Sequence, residues 1–394
     1  MTKREVWVVG AARTAIGSFG GTLKETPMAA LAVTAVRAAM QRAGVEPGQV
    51  GHLVMGNVIP TEPRDAYISR VAAIESGIPQ EAPAFNVNRL CGSGLQAIIS
   101  AAQAILLGDC EVAIGAGVES MSRGPYIMPA ARWGARLGDA AMLDYMNGIL
   151  HDPFGKMHMG VTAENVAASY GITREMQDQL ALESQKRAAN AIAEGRFTAQ
   201  IVPVEIKTRK GMISFAVDEN VRGDSNLETL SKMKPVFKEG GSVTAGNAST
   251  LNDGAAAVVL VEAAYAKARG LTPLARLVSY GHAGVDPAVM GIGPVPATKA
   301  ALAKAGLSVQ DLDVIEANEA FAAQACAVSR ELAFDPAKVN PNGSGISLGH
   351  PVGATGAIIT TKALYELARV KGRYALATMC IGGGQGIAAI FERA

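Results

Sequence analysis

The sequence predicts an α/β protein made of two copies of one βαβ-type domain, with a third segment inserted into the first. Three observations carry this reading. Short apolar strand patterns alternate with helical patterns through the N-terminal third, and the rhythm starts again near residue 272. Matching stretches of the two halves look alike. "FNVNRLCGSGLQAII" (85–99) and "VNPNGSGISLGHPVGATGAII" (339–359) share an Asn-rich lead-in, a Gly-Ser-Gly turn and a small-residue helix, and "VAIGAGVES" (112–120) resembles "MCIGGGQGI" (379–387). The middle follows neither pattern, being rich in Met, Arg, Pro and charge. Such alternation argues for open sheets covered by helices, and a repeat this long is a duplicated domain, not a solenoid unit.

In chain order, "VWVVGA", "HLVMGNV" and "EVAIGAG" read as buried strands, with helices at about 28–43, 65–76 and 94–107 between them and Gly108 as a helix stop. The insertion contains an amphipathic helix near 173–194 and ends at "GGSVTAGNAST"; "GAAAVVLVE" (254–262) then completes the first sheet. The second copy follows as "LARLVSYG", a helix at 296–305, "DVIEANEAF", a helical "GATGAIITTKALYELAR" and "YALATMCIGGGQGIAAIFER". The expected division is 1–118 with 250–271, an inserted loop domain at 119–249, and 272–394.

At 394 residues the chain exceeds one hydrophobic core. Hydrophobic residues at 49% against 18% charged exclude a disordered chain, and 44 glycines with only 5% aromatics imply close packing of small side chains. The net charge of +1, without a basic run, gives nucleic-acid binding no support. No uninterrupted apolar run approaches the ~18 residues of a membrane span, so no membrane partner is expected. The opening "MTKREVWVVG" has no apolar stretch of the signal-peptide kind. Four scattered cysteines, Cys91, Cys110, Cys326 and Cys380, form no C-x-x-C pair. That pattern fits a reducing cytoplasm and disfavours disulfides and a metal site.

Four polar positions stand at equivalent strand ends, where α/β sheets form their sites. Cys91 precedes Gly-Ser-Gly at the mouth of a helix, where free N–H groups and the helix dipole favour a thiolate. His350 sits among the glycines of "GSGISLGHPVGATG", and Cys380 leaves a strand into "CIGGGQG". Asn318 lies in "EANEAFAAQ", where a helix cap is its ordinary role, and Asp253 reads as a turn residue before a strand.

Together "NRLCGSG", "NEAFA", "GHPVGATG" and "CIGGGQG" resemble the thiolases in order and spacing along the whole chain. They are closest to the short-chain biosynthetic thiolases (acetyl-CoA acetyltransferases) and the bacterial β-ketothiolases of polyhydroxyalkanoate synthesis. The resemblance implies thiolase-like duplicated domains in a layered α-β-α-β-α core with the inserted loop domain. It implies a reversible, ping-pong Claisen condensation of acetyl-CoA with acetyl-CoA or a short acyl-CoA through an acyl-cysteine. Cys91 is then the nucleophile, His350 its base and Cys380 the base for the second acetyl-CoA. Asn318 holds a water, and the N–H groups of Cys91 and Gly382 bind the oxyanion. Leu150, His158, Met159, Arg222, Ala245, Ser249, Met290 and Phe321 match the positions along the coenzyme A and acyl groups. Coenzyme A thioesters are substrates, no cofactor or metal is implied, and the assembly is a homotetramer, a dimer of dimers. Val352 and Thr355 stand where the family often has Ile or Leu and Ser, and neither change is expected to touch a reacting group.

The alternative within the family is a degradative 3-ketoacyl-CoA thiolase of broader chain length. A ketosynthase is disfavoured by Cys380 where a second histidine is usual, a carrier protein without catalysis by the intact polar set. A nicotinamide dehydrogenase is disfavoured because "VVGAARTAIGSFGG" lacks the glycine fingerprint in helical context.

Overall fold

The computed structural model describes residues 4–209 and 211–394. Its main strands are β1 Val6–Arg13, β2 His52–Gly56, β3 Ala84–Val87, β4 Val112–Ser120, β5 Asn252–Glu262, β6 Ala275–Gly284, β7 Val314–Ala317, β8 Tyr374–Ile381 and β9 Gln385–Arg393. The longer helices are α1 Met28–Ala43, α2 Ile68–Glu75, α3 Ser93–Leu107, α4 Met159–Tyr170, α5 Arg174–Ala193, α6 Pro294–Ala305, α7 Ala322–Glu331 and α8 Val352–Arg369. The expected helices and strands are all present, and β5 pairs with both β1 and β4, completing the first sheet as the apolar run implied.

The duplication is explicit in the pairing. In the first half β1, β5 and β4 are antiparallel neighbours, and β4, β2 and β3 are parallel. In the second half β6, β9 and β8 are antiparallel and β8 and β7 parallel, with a single parallel bridge, Ile315 to Val339, in the fifth place. The copies join where Trp7 meets Arg276 and Val8 meets Ala275, which makes one ten-stranded sheet ordered β7-β8-β9-β6-β1-β5-β4-β2-β3, the tenth strand being Gly17–Ser18 beside β5. Each copy's edge strand thereby covers the other's open edge.

Helix α1 covers the outer face of the first half and α6 that of the second. Between the halves α3 and α8 pack on each other, α3 against β2 and β4, and α8 against β4 and β5 as well as β7 and β8. The result is the α-β-α-β-α stack. The window Leu90–Leu107, though interrupted by Ser93, Gln96, Ser100 and Gln103, is long and apolar enough, by length and composition, to cross a membrane. Its apolarity has another physical cause here, since a helix between the two halves of the sheet buries most of its circumference, and this one buries Leu95, Ile98, Ile99 and Ile105 fully.

Small residues let the central helices meet. A Cβ on Gly94 of α3 would lie 3.0 Å from the Gly353 carbonyl oxygen of α8, and one on Gly117 of β4 would lie 2.6 Å from the same oxygen. The N-terminal ends of α3 and α8 are thus fixed side by side, backbone against backbone. From the insertion, α4 and α5 pack on α7 of the second half. Fully buried Arg13 ties it to the first: its guanidinium holds Asp218 at 2.7 and 2.9 Å and the Gln200 side chain at 2.7 Å. Removing one member of such a buried pair costs about 3–5 kcal/mol.

Candidate active site

Cys91 stands two residues ahead of α3 on a tight turn. Leu90 adopts a left-handed φ of 44°, an unusual conformation for a leucine. Ser93 braces the turn, its Oγ accepting from the Arg89 N–H at 2.9 Å and donating to the Leu90 carbonyl at 2.7 Å. The helix mouth favours the anion, but a second influence acts on it more strongly. Burial pushes the Cys91 thiol up to about 11, and the backbone N–H groups of Gly382 and Cys91 itself pull only partly against it. Desolvation outweighs two dipoles, so Cys91 rests as a thiol and needs a base.

A buried imidazole, His350, stands just ahead of the N-terminus of α8. The His350 backbone N–H donates to Asn252 Oδ1 at 2.9 Å, and burial lowers the imidazole to about 4, so the ring is neutral. Its tautomer follows from its neighbours. Thr355 Oγ1 gives its one proton to the Pro351 carbonyl at 2.9 Å and lies 2.7 Å from His350 Nδ1, so Nδ1 must donate to it. Nε2 is then the acceptor nitrogen, and Asn318 Nδ2 faces it as a donor at 3.5 Å. Thr355 therefore does touch a reacting group, contrary to the expectation drawn from its position in the motif.

Asn318 follows β7 and is not a helix cap, because Phe321 takes that position on α7. Its Oδ1 is buried without a protein partner. Asp253 is likewise not in a turn: it lies within β5 and accepts from the Ser122 backbone and hydroxyl. Cys380, near the end of β8, is fully buried, and burial with Cys91 alongside drives its thiol far above the usual range. Gly382 opens the turn after β8; a Cβ there would lie 2.8 Å from Met159 Cε and 3.2 Å from Leu90.

These groups meet a cavity of about 640 Å³ whose wall includes Cys91, His350 and Gly382. Leu150, His158, Met159, Arg222, Ala245, Ser249, Met290 and Phe321 all line the same cavity. Cys380 and Asn318 are buried residues outside that lining. Met159, Met290 and Phe321 share one apolar cluster with Cys380. Arg222 is exposed at the cavity. His158 Nδ1 accepts from the Gly160 N–H at 3.0 Å, which leaves its proton on Nε2. Phe237, which the motifs did not single out, stacks on His158 at 4.6 Å between centroids and meets Phe321 edge-on at 6.0 Å. Its signal lay in Gly160, where a Cβ would fall 2.2 Å from the Phe237 ring. Among the described residues no cluster of His, Cys, Asp and Glu suited to a metal ion occurs.

A thiol beside two backbone amides, a neutral imidazole and a second buried thiol, set in a duplicated α-β-α-β-α core, are the arrangement of a thiolase. Residues 6–264 match the thiolase N-terminal domain and 271–393 the thiolase C-terminal domain, and the chain belongs to the thiolase family. It is 68% identical over 391 residues to the beta-ketothiolase BktB of Cupriavidus necator, covering 99% of each chain. It is 50% identical over 392 residues to an acetyl-CoA acetyltransferase of Pseudomonas aeruginosa, covering 99% of this chain and all of the other. The human mitochondrial 3-ketoacyl-CoA thiolase superposes with a TM-score of 0.98 at 45% identity over the whole of both chains. Its complex with CoA gives 0.96 at 44% identity, covering 99% of this chain and 98% of that one.

Proposed function

We propose that this thiolase is a β-ketothiolase, an acyl-CoA C-acetyltransferase that reversibly condenses acetyl-CoA with acetyl-CoA or a short acyl-CoA. Likeness to a beta-ketothiolase and to acetyl-CoA acetyltransferases along nearly the full chain supports this activity. The observation that carries the mechanism is the convergence of Cys91, the Gly382 and Cys91 amides and His350 on one cavity.

In the first half-reaction His350 Nε2 takes the Cys91 proton, and the sulfur attacks the thioester carbonyl. The Cys91 and Gly382 N–H groups receive the oxyanion, a contribution worth about 10²–10³ in rate per donor. Collapse breaks the carbon–sulfur bond to coenzyme A. Cys380 begins as a thiol, so it becomes a base only by giving its proton to the departing CoA thiolate. Cys380 thiolate then faces His350 imidazolium across the acyl-enzyme. In the second half-reaction Cys380 takes an α-proton from acetyl-CoA, with the enolate held by His350 and a water on Asn318. The enolate carbon attacks the acyl carbonyl, Cys91 leaves as thiolate, and His350 returns its proton. Protons and electron pairs balance without a cofactor.

Leu150, His158, Arg222, Ala245 and Ser249 take the coenzyme A arm, and Met159, Met290 and Phe321 the acyl end. The apolar side chains exposed in one segment of the insertion, Tyr126, Trp133, Leu137, Met142 and Phe154, support assembly of four chains as a dimer of dimers. Four free cysteines fit a cytoplasmic enzyme, which we place on the supply side of polyhydroxyalkanoate synthesis. A packed acyl end favours this reading over a degradative thiolase of broad range. The test is kcat/KM for thiolysis across chain lengths. One methylene changes discrimination by at most ~1–3 kcal/mol, roughly 10–200-fold, so 3-ketovaleryl-CoA should still be cleaved, within about that factor of acetoacetyl-CoA. Overpacking beyond about six carbons should then cut the rate steeply. A flat profile to 3-ketodecanoyl-CoA would assign the degradative alternative.

A further inference from the structure

The duplication sets a buried carboxylate where the other half has a reacting thiol. In the parallel pairs Gly56 lies opposite Gly117, and Ala317 opposite Thr378. One residue past the first member of each pair stand Asn57 and Asn318; two past the second stand Glu119 and Cys380. The pair Asn318 and Cys380 serves the reaction. Its counterpart is a contact, Asn57 Nδ2 donating to Glu119 Oε1 at 3.0 Å.

Glu119 is fully buried and gathers three segments. Its carboxylate accepts from the Val58 N–H at 3.1 Å and the Ile59 N–H at 3.0 Å, both in the loop after β2, and from the Gly353 N–H at 2.8 Å. Gly353 lies in the first turn of α8, whose amides have no partner within the helix, and the residue before α8, Pro351, supplies no side-chain cap. Glu119 thus caps from another strand the helix that begins two residues after His350. Burial pushes the Glu119 carboxyl up to about 8, with the three backbone N–H groups pulling only partly against it, so its oxygen acceptors and not a full negative charge make the cap. Val58 and Val352, on two of the tied segments, line the cavity beside Cys91.

We propose that Glu119 is a positioning residue for the condensation, setting His350 against Cys91 by tying the first turn of α8 to the ends of β2 and β4. The proposal rests on the roles given above to Cys91 and His350. Glu119 touches no substrate and acts through the placement of the base; misplacement by about 1 Å can cost 10²-fold in rate.

The test uses the intact enzyme and follows the single-turnover rate of Cys91 acetylation by acetyl-CoA. Glu119→Gln keeps the volume but turns an amide against an N–H donor. At least a tenfold slower acetylation is expected, with half-saturating acetyl-CoA within twofold of the wild type. Glu119→Asp keeps the carboxyl oxygens but falls one methylene short, and should lie between; it decides the matter if Glu119→Gln does not fold. Wild-type acetylation with only a lowered melting temperature would overturn the proposal, as would failure of both variants to fold, which would make Glu119 a folding residue. If wild-type Cys91 itself is not acetylated, the reading of the active site fails first.

Discussion

Thr355 Oγ1 lies 2.7 Å from His350 Nδ1 and is itself turned by the Pro351 carbonyl. A side chain five residues along the chain thereby decides which ring nitrogen is the base. With Nδ1–H committed to Thr355, Nε2 is the ring nitrogen open to accept a proton, as the proposed mechanism requires. Thr355→Val should leave a buried N–H without an acceptor, a cost of ~1–3 kcal/mol. A loss in kcat of about tenfold or more is expected, and Thr355→Ser should retain activity near the wild type. Steady-state thiolysis of acetoacetyl-CoA measures both; a fully active Thr355→Val would show that the tautomer is set elsewhere.

Cys380→Ser should separate the two half-reactions. A hydroxyl of much higher pKa is a poor base, so incorporation of solvent deuterium into acetyl-CoA should fall by at least about 10², the lower bound of a general-base contribution. Cys91 should still acquire an acetyl group. Unchanged exchange in the variant would remove Cys380 from the second step.

The perturbed groups also set pH dependences. Cys91, raised to about 11, should react with iodoacetamide along a curve rising well above the midpoint of an ordinary thiol. The folded state holds this proton where the unfolded thiol has lost it, so the Cys91 contribution to stability falls as pH rises from about 9 to about 11. His350 has the opposite sign. Its pKa drops from 6.5 to about 4, so its contribution is present above 6.5 and is lost as pH falls through that window. Denaturant titrations of the wild type and His350→Asn across that range should show the slope flattening in the variant.

Gly160→Ala should displace the Phe237 ring from His158, because the new Cβ would fall 2.2 Å from it. Overpacking of this kind costs ~1–3 kcal/mol. About a tenfold rise in KM for acetyl-CoA is expected with a smaller change in kcat. An unaltered KM would free the His158–Phe237 wall from any part in binding.

The alternation of apolar runs made the duplicated sheet legible, because strand and helix periods are local properties. Cys91, Cys380 and His350 stood out by their glycine-rich surroundings, which mark backbone held close to other groups, and Asn318 by its place at a strand-to-helix junction. Relations between segments distant in the chain were not legible. Glu119 reads as the polar end of a strand, and only its Gly353 contact, across 234 positions, reveals its reach. Likewise the dipole at the mouth of α3 is a local feature, whereas the Gly382 amide that reaches Cys91 comes from the far end of the chain.

The most direct measurement is peptide mass analysis of the enzyme after brief incubation with acetyl-CoA alone. An acetyl group on the peptide bearing Cys91, released on adding free coenzyme A, is the predicted result. Acetylation of Cys380 with Cys91 unmodified would contradict the assignment and reverse the two thiols.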